Sequence, residues 1–306
     1  MAAGLARQIL KLARLHFLVP GIMLFALGAL FASALGSPLV WDKIVLGYTI
    51  FFLAHLSVSF SNDYFDRAGD TRAEPTPLSG GSGVLVEHPE LASLSKRIAL
   101  ALLVGSGLTA VLFTAYYGYH PLFLAFSLAG GWLGWFYTAP PLRFAYRGLG
   151  EAATVVAAGL VMPGMGYFVV SGGIDVWFLL LSLPLMCYGL FFILTVEMPD
   201  VEPDAVAGKR NLLVRRGRRV GALVAFVACA SGTALLLALL FSGALRGTID
   251  FGLIVLFSLI PLAASGFFLL RVSDQRERLV SHVKLNFASM MGFLLLMDLS
   301  LAATCI

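Results

Sequence analysis

The chain has 306 residues, of which 59% are hydrophobic and only 12% charged, with a mean hydropathy of +0.91. A soluble domain of this length carries far more charge, so the composition excludes that class and points to a polytopic membrane protein. The net charge of +4 is explained by where the basic residues fall, without a nucleic-acid partner. Cys187, Cys229 and Cys305 lie in apolar runs and form no disulfide or metal-ligand pattern.

Apolar runs of bilayer-crossing length, about 17–25 residues, are placed nine times, at about 15–36, 43–61, 98–118, 121–139, 150–171, 176–196, 220–242, 249–270 and 283–304. The expected fold is therefore all-α, with nine transmembrane helices in a single domain over 1–306. With the N-terminus in the cytoplasm and the C-terminus outside, every Lys and Arg except Lys43 and Arg246 falls on the cytoplasmic side. That asymmetry is what the positive-inside rule asks of a correct count.

The basic stretch Leu5 to Leu15 is expected along the inner membrane surface. The first run ends near Ala32-Ser33-Ala34 and has some look of a signal peptide. Its length, and the eight spans after it, favour a retained helix. The second run carries a polar stripe, His55, Ser59, Asn62 and Asp66, on one helical face. It leads directly into N-D-Y-F-D-R-A-G-D, Asn62 to Asp70, where Asp63, Asp66 and Asp70 share a face at i, i+3 and i+7. Carboxylates at a membrane boundary are costly unless a cation or a function needs them.

Thr71 to Lys96 is too polar to span and reads as a flap over a site, and its Gly-Gly-Ser-Gly run could offer N–H groups to phosphate. Gly118 to Pro121 forms a tight turn. Between the fourth and fifth spans, Tyr137, Arg143, Tyr146 and Arg147 gather at the cytoplasmic boundary. The sixth span runs into V-E-M-P-D-V-E-P-D, where Glu197, Asp200 and Asp204 repeat the earlier spacing. Pro199 and Pro203 forbid a regular helix there, so a break near Met198 and a restart with Pro203 in the first turn are expected. Lys209 and Arg210 follow at once. Asp298, deep in the last span, is expected to hydrogen-bond a neighbouring helix.

Two carboxylate clusters on one side, each with cationic neighbours, suit Mg²⁺ with phosphate oxygens. Two or more such ions would clamp a diphosphate and neutralise it as it leaves. If the diphosphate is allylic, its departure gives a carbocation, which needs a water-poor pocket and electron-rich faces such as Tyr137.

N-D-Y-F-D-R-A-G-D resembles the N-D-x-x-D-x-x-x-D motif of the UbiA-type intramembrane prenyltransferases, and P-D-V-E-P-D-A-V-A-G-K-R-N-L resembles their second D-x-x-x-D motif. The nine spans, and motifs after spans two and six, are similar as well. The resemblance implies Mg²⁺-dependent transfer of an isoprenyl chain from a polyprenyl diphosphate to an aromatic acceptor. It implies Asn62, Asp63, Asp66, Asp70, Asp200 and Asp204 at the metal–diphosphate site and Arg67, Lys209 and Arg210 on phosphate; Glu197, from its spacing, is a further candidate metal ligand. Arg143 and Arg147 are candidates for the acceptor. Y-T-A-P-P-L-R-F-A-Y-R-G-L-G-E and the G-G-S-G-V-L loop look most like the menaquinone branch, whose acceptor is 1,4-dihydroxy-2-naphthoate. Val196-Glu197-Met198-Pro199 stands where that branch often has an asparagine pair and Arg, so 4-hydroxybenzoate, homogentisate and glycerol-phosphate acceptors stay open. On this reading the protein is integral to a prokaryotic cytoplasmic membrane and contacts its lipid. Its active site is cytoplasmic, built from loops about 62–97, 137–150 and 197–219. The reading from another class is a transporter, disfavoured by carboxylates at one face rather than the midplane. A CDP-alcohol phosphotransferase lacks its D-G-x-x-A-R signature here.

Overall fold

The computed structural model describes residues 2–71, 81–243 and 245–305. Among these every regular element is helical. The amphipathic α1 (Ala2–Ala13) ends at Arg14, whose backbone takes the left-handed conformation at φ 46° and ψ 49°. A 3₁₀ turn then leads into α2 (Leu18–Ala34).

Helix α3 (Trp41–Asp70) runs unbroken for 30 residues. At 1.5 Å per residue that is about 45 Å, against a hydrocarbon core of about 30 Å. The helix is therefore long enough for its acidic end to stand outside the apolar slab, where carboxylates can be hydrated. Of the expected flap, residues 72–80, including Gly80, lie outside the described residues. The returning half is ordered as α4 (Val84–Glu87) and a 3₁₀ turn before α5 (Ala92–Tyr117). Val84 and Leu85 are buried with Leu12 of α1, Phe60 of α3 and Ala99 of α5. Helix α1 and the flap thus close over the polar end of α3 as one small packed unit, and Gln8 Nε2 lies 3.0 Å from His88 Nε2 across it.

Gly118 makes the predicted turn with φ 67° before α6 (Pro121–Trp135). The run from Gly150 to Ser171 is one helix in three parts: α7 (Gly150–Val156), a π-helical segment (Ala157–Val161) and α8 (Met162–Ser171). Pro163 has no N–H for the Gly159 carbonyl, so the α ladder slips to the wider π repeat just before it. Helix α9 (Val176–Val196) follows, then a 3₁₀ turn and α10 (Val201–Val206). The break and the Pro203 restart appear as the two prolines require. Helix α11 (Leu212–Ser242) is bent at Gly217, which has non-helical angles; α12 (Phe251–Leu270) and α13 (Arg276–Ala303) complete the chain.

Eight helical runs among the described residues are long and apolar enough to cross a membrane. The expected ninth, α6, is apolar but only 15 residues long, or about 22 Å. The helices close into a ring, with α13 packed against α2. At the α2–α8 seam the backbones touch: a Cβ on Gly28 would lie 1.7 Å from the Pro163 carbonyl oxygen, and one on Gly166 1.9 Å from that of Phe25. Small residues at such a seam give the close van der Waals packing that holds helices together in lipid. Hydroxyls join neighbouring helices too, as in Ser106 to the Ile50 carbonyl at 2.7 Å. Asp298 departs from its expectation: its buried Oδ1 has no hydrogen-bond partner.

Candidate active site

A central cavity of about 370 Å³ opens at the polar end of the ring. It is lined from α2, α3, α6, the π segment, α9, α10 and α13. Both acidic clusters reach it. Asn62, Asp63, Asp66 and Asp70 line it from α3, together with His55 and Ser59 of the predicted stripe. Glu197, Asp200 and Asp204 line it from the opposite wall.

Lys209 joins the two walls. Its Nζ lies 2.9 Å from Asp204 Oδ1 and 3.5 Å from Asp66 Oδ2. Gly208, at φ 80°, lets the chain leave α10 by turning back on itself. The Lys209 N–H then donates to the Asp204 carbonyl at 2.9 Å. Burial lowers the Lys209 pKa, but Asp66 and Asp204 overcome that and hold it well above the ordinary lysine value. Burial likewise pushes the Asp204 carboxyl up, and Lys209 offsets part of the shift. Asn211 Nδ2 donates to the other Asp204 oxygen at 2.9 Å.

Asp66 also accepts from the Tyr146 hydroxyl at 2.7 Å. Burial and the Asp66 charge push that phenol up to about 12, so it remains a donor. Asp63 is 3% exposed. It accepts from the backbone N–H and the hydroxyl of Ser82, and Arg14 Nη1 stands 3.7 Å away. The glycine-rich segment therefore spends the Ser82 N–H on a carboxylate rather than leaving it for phosphate. Gly81 lies against Asp70, where an added Cβ would overlap Oδ2 at 2.1 Å. Asn62 is oriented by Thr138, whose hydroxyl donates to its Oδ1 at 2.9 Å. Tyr137 lines the cavity. Glu197 is held well above the carboxylate range by burial, Glu151 and Asp204.

Several predicted residues lie elsewhere. Arg67 is exposed, bonded to the Tyr64 carbonyl and stacked over the Tyr64 ring at 4.5 Å. Arg210 is exposed and does not line the cavity. Arg147 is exposed and donates to the Pro141 carbonyl at 2.8 Å, holding its own turn. Arg143 stacks over the Tyr146 ring at 3.8 Å and does not itself line the cavity. Conversely, sequence reading missed Arg14, Ser82, Thr138 and Asn211 as members of the site. Arg14 registered only as one more basic residue flanking a span.

Among the described residues no three His, Cys, Asp or Glu side chains are grouped to hold a metal by themselves. Mg²⁺ does not require such a cage; it takes one or two carboxylates and completes its shell with water and substrate phosphate. The donor set consists of hard carboxylate oxygens. The Lys209 ammonium already stands where the two walls converge, which shows that the spot favours a cation. The residues therefore fit Mg²⁺ bound together with a phosphorylated ligand.

The UbiA prenyltransferase family matches residues 22–290. The chain belongs to that family. It is a membrane-embedded transferase of prenyl groups, and the transporter reading falls away. The Haemophilus influenzae protein named 1,4-dihydroxy-2-naphthoate octaprenyltransferase is 29% identical over 220 residues, 66% of this chain and 68% of its own length. The Bacillus subtilis protein of the same name is 26% identical over 167 residues, 54% of this chain and about half of that relative (51%). Among solved structures, a UbiA homolog from Archaeoglobus fulgidus bound to GPP and Mg²⁺ superposes with a TM-score of 0.63 at 18% identity, covering 94% of this chain and 99% of that one. A digeranylgeranylglyceryl phosphate synthase structure gives a TM-score of 0.65 at 14% identity, covering 97% and 99%. These structures share the fold.

Proposed function

We propose that this protein transfers an isoprenyl chain from a polyprenyl diphosphate to an aromatic acceptor, with 1,4-dihydroxy-2-naphthoate the best candidate and menaquinone biosynthesis the setting. The observation that carries the reading is the two-ended cavity. One end holds five aspartates with Lys209 and Arg14; the other is walled by Leu24, Val58, Leu185, Phe192 and Leu294. A diphosphate suits the first end and a prenyl chain the second. The names of the curated relatives support the naphthoate acceptor.

In this reading Asp63, Asp66, Asp70, Asp200 and Asp204 hold Mg²⁺, in two or more sites. Bound Mg²⁺ neutralises charge on the departing diphosphate. Lys209 and Arg14 pair with the diphosphate oxygens, and Asn62 supplies a neutral polar contact beside them. The C1–O bond of the allylic diphosphate breaks, with the electron pair leaving on oxygen. The cation that forms faces the Tyr137 ring. The apolar walls exclude water, which would otherwise capture the cation. A ring carbon of the acceptor then bonds to C1 and sheds the group it carried, a proton or, at a carboxylated carbon, CO₂, which restores the aromatic ring.

The whole chain acts as one domain, which the match over 22–290 supports. Helix α6, extended by the turn after it, serves as the ninth span. The N-terminus and the site face the cytoplasm of a prokaryotic membrane, and the surrounding lipid bathes the outer helix faces. The test is purified protein with Mg²⁺, labelled prenyl diphosphates and a panel of aromatic acceptors. Prenylated dihydroxynaphthoate is the expected product; no transfer to any aromatic acceptor would overturn the reading.

A further inference from the structure

Glu197 differs from the aspartates around it. Asp63, Asp66 and Asp204 are each held by a hydroxyl, an amide or a cation. Glu197 Oε2 is buried and has no hydrogen-bond partner. It closes α9, one residue beyond the cavity-lining Val196 and three before Asp200. It therefore stands where the apolar wall gives way to the acidic end. Tyr137 lines the same cavity. A buried acceptor without a donor is a cost that a folded protein rarely carries unless a ligand meets it.

The surroundings narrow what that ligand group is. Lys209 serves Asp66, Asp204 and, in the reading above, the diphosphate, which leaves no cation over for an acceptor anion. The charged neighbours of Glu197 include Glu151, Asp204 and Asp200, with Lys209 the cation among them. An anionic group is repelled from this wall. Phe192, Ile193 and Val196 leave room beside it for an apolar body. The fitting group is a neutral O–H donor on a flat apolar ring.

We infer that Glu197 recognises the acceptor: its Oε2 accepts a hydrogen bond from a phenolic hydroxyl and so fixes which edge of the aromatic ring faces the diphosphate end. The inference rests on the prenyl-transfer reading above and deepens it. A hydroxyl donating to a carboxyl oxygen enriches the adjacent ring carbons in electron density, and one of those carbons is then held near C1 of the prenyl chain. An acceptor carboxylate must point away from this wall.

The test uses the full chain, geranyl diphosphate, Mg²⁺, 1,4-dihydroxy-2-naphthoate and its two monomethyl ethers. Glu197→Leu is expected to raise the acceptor KM about 10- to 100-fold, the worth of one such bond. The prenyl diphosphate KM and the Mg²⁺ midpoint should stay unchanged. Wild type should discriminate against one monomethyl ether, Glu197→Leu should lose that discrimination, and Glu197→Gln, which keeps a carbonyl oxygen, should retain much of it. A shifted Mg²⁺ midpoint would make Glu197 a metal ligand and overturn the inference; so would an unchanged acceptor KM, or both substrate KM values rising together. If the leucine variant does not fold, Glu197→Met, which keeps the side-chain length but lacks the acceptor oxygen, reads the same contact in the ether comparison. Acceptor fluorescence titrated without diphosphate separates the two readings. Glu197-dependent binding with no transfer sinks only the transfer reading. Transfer with Glu197-independent binding sinks only this one.

Discussion

Asp66 of α3 and Asp204 of α10 share one ammonium: Lys209 Nζ lies 3.5 Å from the first and 2.9 Å from the second. Two motifs far apart in sequence thus meet through a single cation. If both hold metal on one diphosphate, neither makes a useful site alone. Asp66→Ala and Asp204→Ala should each lower kcat/KM by about 10²–10⁴-fold, the scale of losing a principal electrostatic stabiliser. Residues that act as a unit are non-additive, so the double variant should be barely worse than either single one. Multiplicative losses would mean two independent sites.

Metal removal should abolish turnover. The oxygen-only donor set, with no cage of three ligands among the described residues, predicts that Mg²⁺ binds well only with the diphosphate present. Calorimetry should show weak Mg²⁺ binding to the protein alone and tighter binding once a non-hydrolysable diphosphate analogue is added. Equal affinity in both states would count against a shared metal–diphosphate site.

The helical course of α3 was readable because no proline interrupts the chain from Trp41 to Asp70 and three aspartates at i, i+3 and i+7 mark a face. The break between α9 and α10 was readable from Pro199 and Pro203. The spacing could not tell which cations face the cavity. Arg67 sits beside Asp66 in sequence, yet one helical step turns it about 100° away, onto Tyr64. Arg14 is remote in sequence and enters only because a left-handed residue folds α1 back across α3. Ser82 and Thr138 were silent for the same reason: their partners, Asp63 and Asn62, lie on another element.

Topology is checked by thiol labelling. Cysteines at Arg216 and Gly243, the latter in the left-handed turn that ends α11, should react with an impermeant reagent from opposite sides: the first from the cytoplasm, the second from outside. A third cysteine at Ser79, in the segment outside the described residues, should behave like the first. The reverse pattern would invert the membrane orientation and place the site outside.

The arginines give the sharpest contrast. Arg14 lines the cavity, pairs with Asp63 at 3.7 Å and stacks on Phe17 at 4.2 Å, whereas Arg67 is exposed. A charged hydrogen bond to substrate is worth about 1.5–3 kcal/mol, or about 10- to 150-fold in affinity. Arg14→Gln should therefore raise the prenyl diphosphate KM by about that factor and leave the acceptor KM alone. Arg67→Ala should leave both within about twofold, since substitutions away from buried features cost little. Arg143→Ala should act between these limits, because its guanidinium only backs the Tyr146 ring that holds Asp66. Its effect should vanish in a Tyr146→Phe background, where the hydroxyl it supports is gone. Loss of diphosphate affinity in Arg67→Ala together with a silent Arg14→Gln would reverse the assignment and require the end of α3 to turn Arg67 inward when substrate binds.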